Sequence, residues 1–220
     1  MAKPTKHTDL NKPWADTRGK RSRPSKSERR FFLIICEGIE TEKNYFEAMR
    51  SDLPKGILKI RVVHSKRPTM GLVVRAEAEL RRIQRTQTVD HVWLVFDRDS
   101  FNANEFNGAV RASRDNGYHA AWSNECFELW FLLHFEAVNS RRSRGELKVQ
   151  LSRQLKKHFG KTYEKNDAEM YQNLKNLRTV ALDRAKKLCD YHPSNRAPSD
   201  ANPCTYVHEL VGELLEMTKS

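Results

Sequence analysis

The chain has little of what marks a membrane, secreted or nucleotide-hydrolysing protein. No apolar run approaches the ~20 residues that span a bilayer. The basic N-terminus is not followed by the hydrophobic segment of a secretory signal. Only four cysteines occur, Cys36, Cys126, Cys189 and Cys204, with no CxxC pair and no zinc-ligand spacing. Cys36 and Cys126 lie inside apolar runs, where a thiol behaves as a small hydrophobe. The nine glycines form neither a phosphate-binding P-loop nor a dinucleotide motif, and no GxSxG elbow is present. These absences argue against a self-contained P-loop ATPase, a Rossmann dehydrogenase and an α/β-hydrolase. The expectation is a soluble, cytoplasmic protein with reduced thiols.

Charge, by contrast, is plentiful and unbalanced. Lys and Arg number 40 against 28 Asp and Glu, a net charge of +12 that favours a polyanionic partner such as nucleic acid. Much of the excess is local, because residues 1–30 hold ten Lys or Arg and three Asp or Glu. Residues 1–28 have only Leu10 and Trp14 as large apolar groups, too little burial to offset ordering entropy, so they read as a flexible basic tail. Lys20, Arg21 and Arg23 in that tail either grip phosphates or are ordinary solvated charges.

From residue 29 the pattern alternates strand and helix. Phe31-Phe32-Leu33-Ile34-Ile35-Cys36 and His91-Val92-Trp93-Leu94-Val95-Phe96 are apolar runs of strand length. Shorter strands are expected over 58–64 and 118–122. Helices are expected over 41–50 with Thr41 as cap, over 71–86 on a stripe of Leu72, Val73, Ala76, Leu80 and Ile83, and over 104–116, ended by Gly117. Strands separated by single helices imply right-handed parallel βαβ units. Beyond Ser123 only helices are expected, over 124–135, 145–159 and 167–191, then a last one capped by Thr205. The predicted class is α/β: a mainly parallel sheet of about four strands flanked by helices, spanning 29–136, with a helical extension over 137–220.

Both long strands end in acids, Glu37-Gly38 after the first and Asp97-Arg98-Asp99 after the second. In an open parallel sheet the strand C-termini form the ligand crevice. Crowded carboxylates raise one another's pKa unless cations neutralise them, and hard oxygen donors there suit Mg²⁺ or Mn²⁺. The alternative is that the acids are strand-end residues paired with Arg98 or a lysine. Glu128 lies within Cys126-Phe127-Glu128-Leu129-Trp130-Phe131, a helix apolar on nearly every face, where a carboxylate must be paired or bind a metal. It is either a fourth ligand or one half of a buried pair with an arginine or His134. Glu125, a turn earlier, adds a ligand or decorates the helix start. His134 reads as a core or supporting histidine rather than a catalyst. Lys66 and Arg67, after the second strand, hold a phosphate backbone or form a surface turn.

Taken together, Ile35-Cys36-Glu37-Gly38 with Thr41-Glu42 and Tyr45-Phe46, followed by Phe96-Asp97-Arg98-Asp99, resembles the TOPRIM domain of topoisomerases, bacterial primases and OLD-type nucleases. With Ser123-Asn124-x-Cys126-Phe127-Glu128-x-Trp130, Leu133-His134-Phe135 and Asn202-Pro203-x-Thr205-x-Val207-His208, the set resembles the RloB family of that superfamily. The resemblance implies a TOPRIM, Rossmann-like core and Mg²⁺-dependent phosphodiester chemistry. Glu37 would serve as general acid/base or ligand, Asp97 and Asp99 as ligands, and Glu128 as a further acid. It also implies an effector of anti-phage or abortive-infection defence, commonly beside an ABC-type ATPase partner. Glu125 departs from the proline expected there. A TOPRIM core hosts strand passage, priming and hydrolysis alike; the size of the chain favours hydrolysis. The alternative is a non-cleaving TOPRIM module that binds nucleic acid or a nucleotide and regulates or docks the ATPase.

Overall fold

Five consecutive branched or aromatic residues, Phe31 to Ile35, with no glycine or proline beside them, make β1 (Arg30–Cys36), buried from its second residue onward. β3 (His91–Asp97) repeats the pattern and lies beside it. The structure is a computed structural model that describes residues 30–55, 58–64, 69–98, 101–193 and 195–218. The remaining strands are β2 (Leu58–His64), β4 (His119–Asn124) and β5 (Cys204–Thr205), and the sheet order is β2-β1-β3-β4-β5. The first four are parallel and β5 is antiparallel to β4.

Three helices make the parallel crossovers: α1 (Thr41–Asp52), α2 (Thr69–Ile83) and α3 (Ala103–Asp115). Side chains alternate between the two faces of the sheet, so each central strand feeds two cores. Phe32, Ile34, Cys36, Trp93 and Val95 pack with Tyr45, Phe46 and Met49 of α1. Phe31, Leu33, Ile35, Val92, Leu94 and Phe96 pack with Leu72, Val73 and Ala76 of α2 and Phe106, Ala109 and Val110 of α3. Covering both faces is why β1 and β3 are apolar throughout rather than alternating. The chain winds from β1 outward to β2, then returns past β1 to β3. That reversal places a topological switch point between β1 and β3, the place where open α/β sheets bind ligands.

The rest of the chain joins the α1 side through α4 (Glu128–Leu133), α5 (Arg144–Phe159), α6 (Met170–Leu174), α7 (Arg178–Asp190) and α8 (Val207–Glu216). Leu147, Leu151 and Leu155 of α5, Tyr171 of α6 and Leu210 and Leu214 of α8 lie in the same apolar cluster as α1. A capping box starts α5: Ser143 Oγ accepts from the Glu146 amide and the Glu146 carboxylate accepts from the Ser143 amide. Among the described residues no helix is long and apolar enough to cross a membrane.

The α/β class and the parallel sheet agree with the sequence, and the local differences have physical causes. A fifth strand exists because Thr205 and Cys204 pair with Ser123 and Asn124. This takes Thr205 out of the expected cap role; α8 starts two residues later. The helix expected over 124–135 contracts to Glu128–Leu133, since Asn124 still belongs to β4. The helix expected over 167–191 is divided by a 3₁₀ turn at Lys175–Leu177. Thr41 is the first residue of α1 rather than its cap, and its hydroxyl donates to the Lys165 carbonyl at 3.1 Å.

Candidate metal centre

Glu37 extends β1 by one rung, its amide donating to the Val95 carbonyl of β3 at 2.9 Å. That rung holds its side chain at the β1/β3 switch point, and the Asp97 amide donates to Glu37 Oε2 at 3.4 Å. Asp97, the last residue of β3, is buried. The amide of Phe127, from the segment between β4 and α4, donates to its Oδ2 at 3.1 Å. Its Oδ1 is buried and has no hydrogen-bond partner. A buried carboxylate oxygen without a donor is costly, and a cation or a proton relieves it.

Two further acids crowd this point. Glu42, in the first turn of α1, is buried, and its carboxylate folds over Gly38 where any Cβ would collide with it. Glu128, at the start of α4, is also buried. The Tyr163 hydroxyl donates to Glu128 Oε1 at 3.0 Å, and Lys148 Nζ lies 3.7 Å from the same oxygen.

The electrostatics follow from this crowding. Burial, with a smaller push from Glu42, raises Glu37 to about 7, against the Asp97 amide and Arg144, which pull it down. Burial raises Asp97 well above the usual carboxylate range, and the charges of Glu42, Glu128 and Glu37 add to the effect. Burial and Glu128 raise Glu42, partly offset by Lys165 and Arg144. Desolvation and like charge act in the same direction here and outweigh the cations nearby.

An all-oxygen donor set, an orphaned Asp97 Oδ1 and a glycine that leaves room for a second carboxylate fit a hard divalent cation. Glu37, Glu42, Asp97 and Glu128 are the residues that could hold one. Among the described residues no three Asp, Glu, His or Cys side chains converge on one point. The acids are neighbours rather than a closed cage.

The structure thus brings Glu37, Asp97 and Glu128 of the expected set together. Asp99, Lys66, Arg67, Lys20, Arg21 and Arg23 lie outside the described residues. Glu128 Oε1 accepts from Tyr163 and lies beside Lys148, while His134 bonds to the Trp130 carbonyl instead. Glu125 turns away: its Oε2 accepts from Asn202 Nδ2 at 3.0 Å, tying the β4–α4 segment to the stretch before β5. His134 is a core residue whose Nδ1–H donates to the Trp130 carbonyl at 2.9 Å, and burial lowers its pKa to about 4. Glu42 was missed as a site residue. A signal existed, since Glu42, Tyr45, Phe46 and Met49 share one helical face and the other three are apolar. Lys148 and Tyr163 had no such signal.

Fold and site together define an α/β protein with an acid-lined crevice at the C-terminal ends of its two central strands. The chain belongs to the RloB family: the family model described as RloB-like protein matches residues 32–214. No significant match was found among curated proteins or among solved structures.

Proposed function

We propose that this RloB-like protein is a metal-dependent nuclease that hydrolyses phosphodiester bonds of RNA or DNA. The observation that carries the reading is Asp97, buried among Glu37, Glu42 and Glu128 with one oxygen unpartnered. The resemblance of Glu37-Gly38 and Asp97-Arg98-Asp99 to the TOPRIM signature points the same way. When bound, Mg²⁺ or Mn²⁺ would supply counter-charge to the acids and Lewis acidity toward a phosphate.

The chain's own residues have separable tasks. The Phe127 amide orients Asp97 through Oδ2 and leaves Oδ1 facing the site. Glu37, at about 7, can hold or release a proton at Oε near neutral pH, as an acid/base group requires. Tyr163 and Lys148 fix the orientation of Glu128. Asp99 joins the ligand set in this reading, and Lys20, Arg21, Arg23, Lys66 and Arg67 hold the polyanion. The protein acts in the cytoplasm as the effector of an anti-phage or abortive-infection system, gated by an ABC-type ATPase partner.

The test is cleavage of mixed DNA and RNA with Mg²⁺ or Mn²⁺, with and without an ATPase encoded beside it. Asp97→Asn should abolish products while remaining folded by circular dichroism; undiminished cutting by that variant overturns the assignment. A second reading draws on the open arrangement of the described acids and on Glu128 being already paired. In it the protein is a non-cleaving module that binds nucleic acid or a nucleotide and regulates or docks the ATPase. It predicts salt-dependent binding that survives loss of the acids, and no products with any metal.

A further inference from the structure

The two cysteines that take no part in the acid site stand together at the edge of the sheet. Cys189 is half-buried in the last turn of α7, and Cys204 is buried on β5. Their sulfurs lie 2.9 Å apart across 15 residues of chain, and Cys189 Sγ also lies 3.3 Å from the Thr205 carbonyl. A chain of weak hydrogen bonds, Cys204 S–H to Cys189 Sγ and Cys189 S–H to Thr205, satisfies both reduced thiols.

Both line an open cavity of about 700 Å³, walled by Arg111, Arg114 and Arg196. The cavity gives small polar molecules a route to the pair. Cys36 and Cys126 are fully buried in the core on the α1 side. The nearby imidazoles are committed elsewhere. His192 Nε2 donates to the Pro203 carbonyl at 2.8 Å, its Nδ1 accepts from Arg196, and His208 Nδ1 donates to the Thr205 carbonyl. Together with the lack of any converging ligand trio among the described residues, this favours thiol chemistry over a metal.

We propose that Cys189 and Cys204 are a dithiol site for peroxide-class oxidants, closing to an intramolecular disulfide. Cys189 gives up its thiol proton as Sγ attacks one peroxide oxygen; the O–O bond breaks and the departing hydroxide takes that proton to leave as water, giving a sulfenic acid. Cys204 Sγ then attacks Cys189 Sγ, the S–O bond breaks, and the hydroxyl departs as a second water with the Cys204 proton. Two electrons and two thiol hydrogens have passed to the peroxide. The bridge joins α7 to β5, and β5 is tied to β4 by the Ser123–Thr205 hydroxyl pair at 2.9 Å. The proposal does not depend on the nuclease reading.

The experiment treats the reduced full-length protein with stoichiometric hydrogen peroxide, then alkylates and measures intact mass and tryptic peptides. The expected result is a monomer lighter by two hydrogens, with a peptide linking residues 189 and 204 and alkylated Cys36 and Cys126 on denaturation. The unfolding temperature should rise by roughly 5–10 °C, since the bridge closes a loop of about 15 residues, and dithiothreitol should reverse it. Cys189→Ala and Cys204→Ala should each remove both effects. Sulfinic acid at Cys189 without a linked peptide, a linkage only between chains, or unreacted thiols at both positions would overturn it. The wild-type mass alone decides the matter if a variant fails to fold.

Discussion

The amide of Phe127 reaches across 30 residues of sequence to hold Asp97 Oδ2 at 3.1 Å, leaving Oδ1 buried without a protein donor. One oxygen is thereby a structural tie between the end of β3 and the entry to α4. The other is available to a cation.

Asp97→Asn tests both halves of this arrangement. The amide oxygen can still accept from Phe127, while the buried charge disappears. In chelator the variant should be at least as stable as the parent, with a gain of about 1–3 kcal/mol at pH 8 in urea unfolding. Its divalent-cation affinity, read by calorimetry, should fall by at least ~10-fold. A destabilised variant with undiminished cation binding would contradict the role given to Oδ1.

Gly38→Ala should act through Glu42. Gly38 is not among the described glycines with positive φ, so the expected effect is steric: the new Cβ displaces the Glu42 carboxylate. Because that carboxylate ends a flexible side chain, stability should change by only about 1 kcal/mol. Cation affinity should weaken by roughly tenfold. Glu42→Gln should weaken it similarly, and the double variant should add little beyond either single one.

The acid cluster makes metal-free stability fall with rising pH. Glu37 sits at about 7 in the folded chain against the ordinary glutamate value of 4.5, so the folded state binds more protons between these values. Stability attributable to Glu37 is therefore lost as pH climbs from 4.5 to 7, by on the order of 2–3 kcal/mol. The raised Asp97 and Glu42 act with the same sign. Urea unfolding in chelator at pH 5.5 and pH 8 should show the decline, and millimolar Mg²⁺ should reverse it at pH 8. A difference between the two pH values that Glu37→Gln leaves unchanged would contradict this.

His134 has the opposite linkage. Its folded pKa of about 4 lies below the ordinary histidine value of 6.5, so the unfolded chain binds the extra proton between them. The stability from neutral His134 is complete above pH 6.5 and is lost as pH falls toward 4, by about 3 kcal/mol. His134→Asn keeps a donor for the Trp130 carbonyl and cannot titrate. Subtracting its stability from that of the wild type isolates this contribution from the opposing one of Glu37. The difference should shrink in the variant's favour across that window; a flat difference would refute it.

Local chemistry alone determined a good deal of this protein. The apolar runs of β1 and β3, the stripe of α2 and the αL stop at Gly117 follow from side-chain volume and period, which neighbouring residues carry. Glu37, Asp97 and Glu128 were legible because a charge inside or at the end of an apolar run is conspicuous. β5 was not, since two residues have no periodicity and pair only because β4 offers an edge. Nor could the sequence place Glu128 beside Lys148 and Tyr163, or Cys189 beside Cys204. Those pairs depend on how α5 and α7 dock on the shared core. Above all, Glu37 and Asp97 are neighbours only because the chain reverses its winding between β2 and β3, bringing β1 and β3 side by side. Strand order is a non-local property, decided by the burial of two sheet faces, and it turns two separate strand ends into one site.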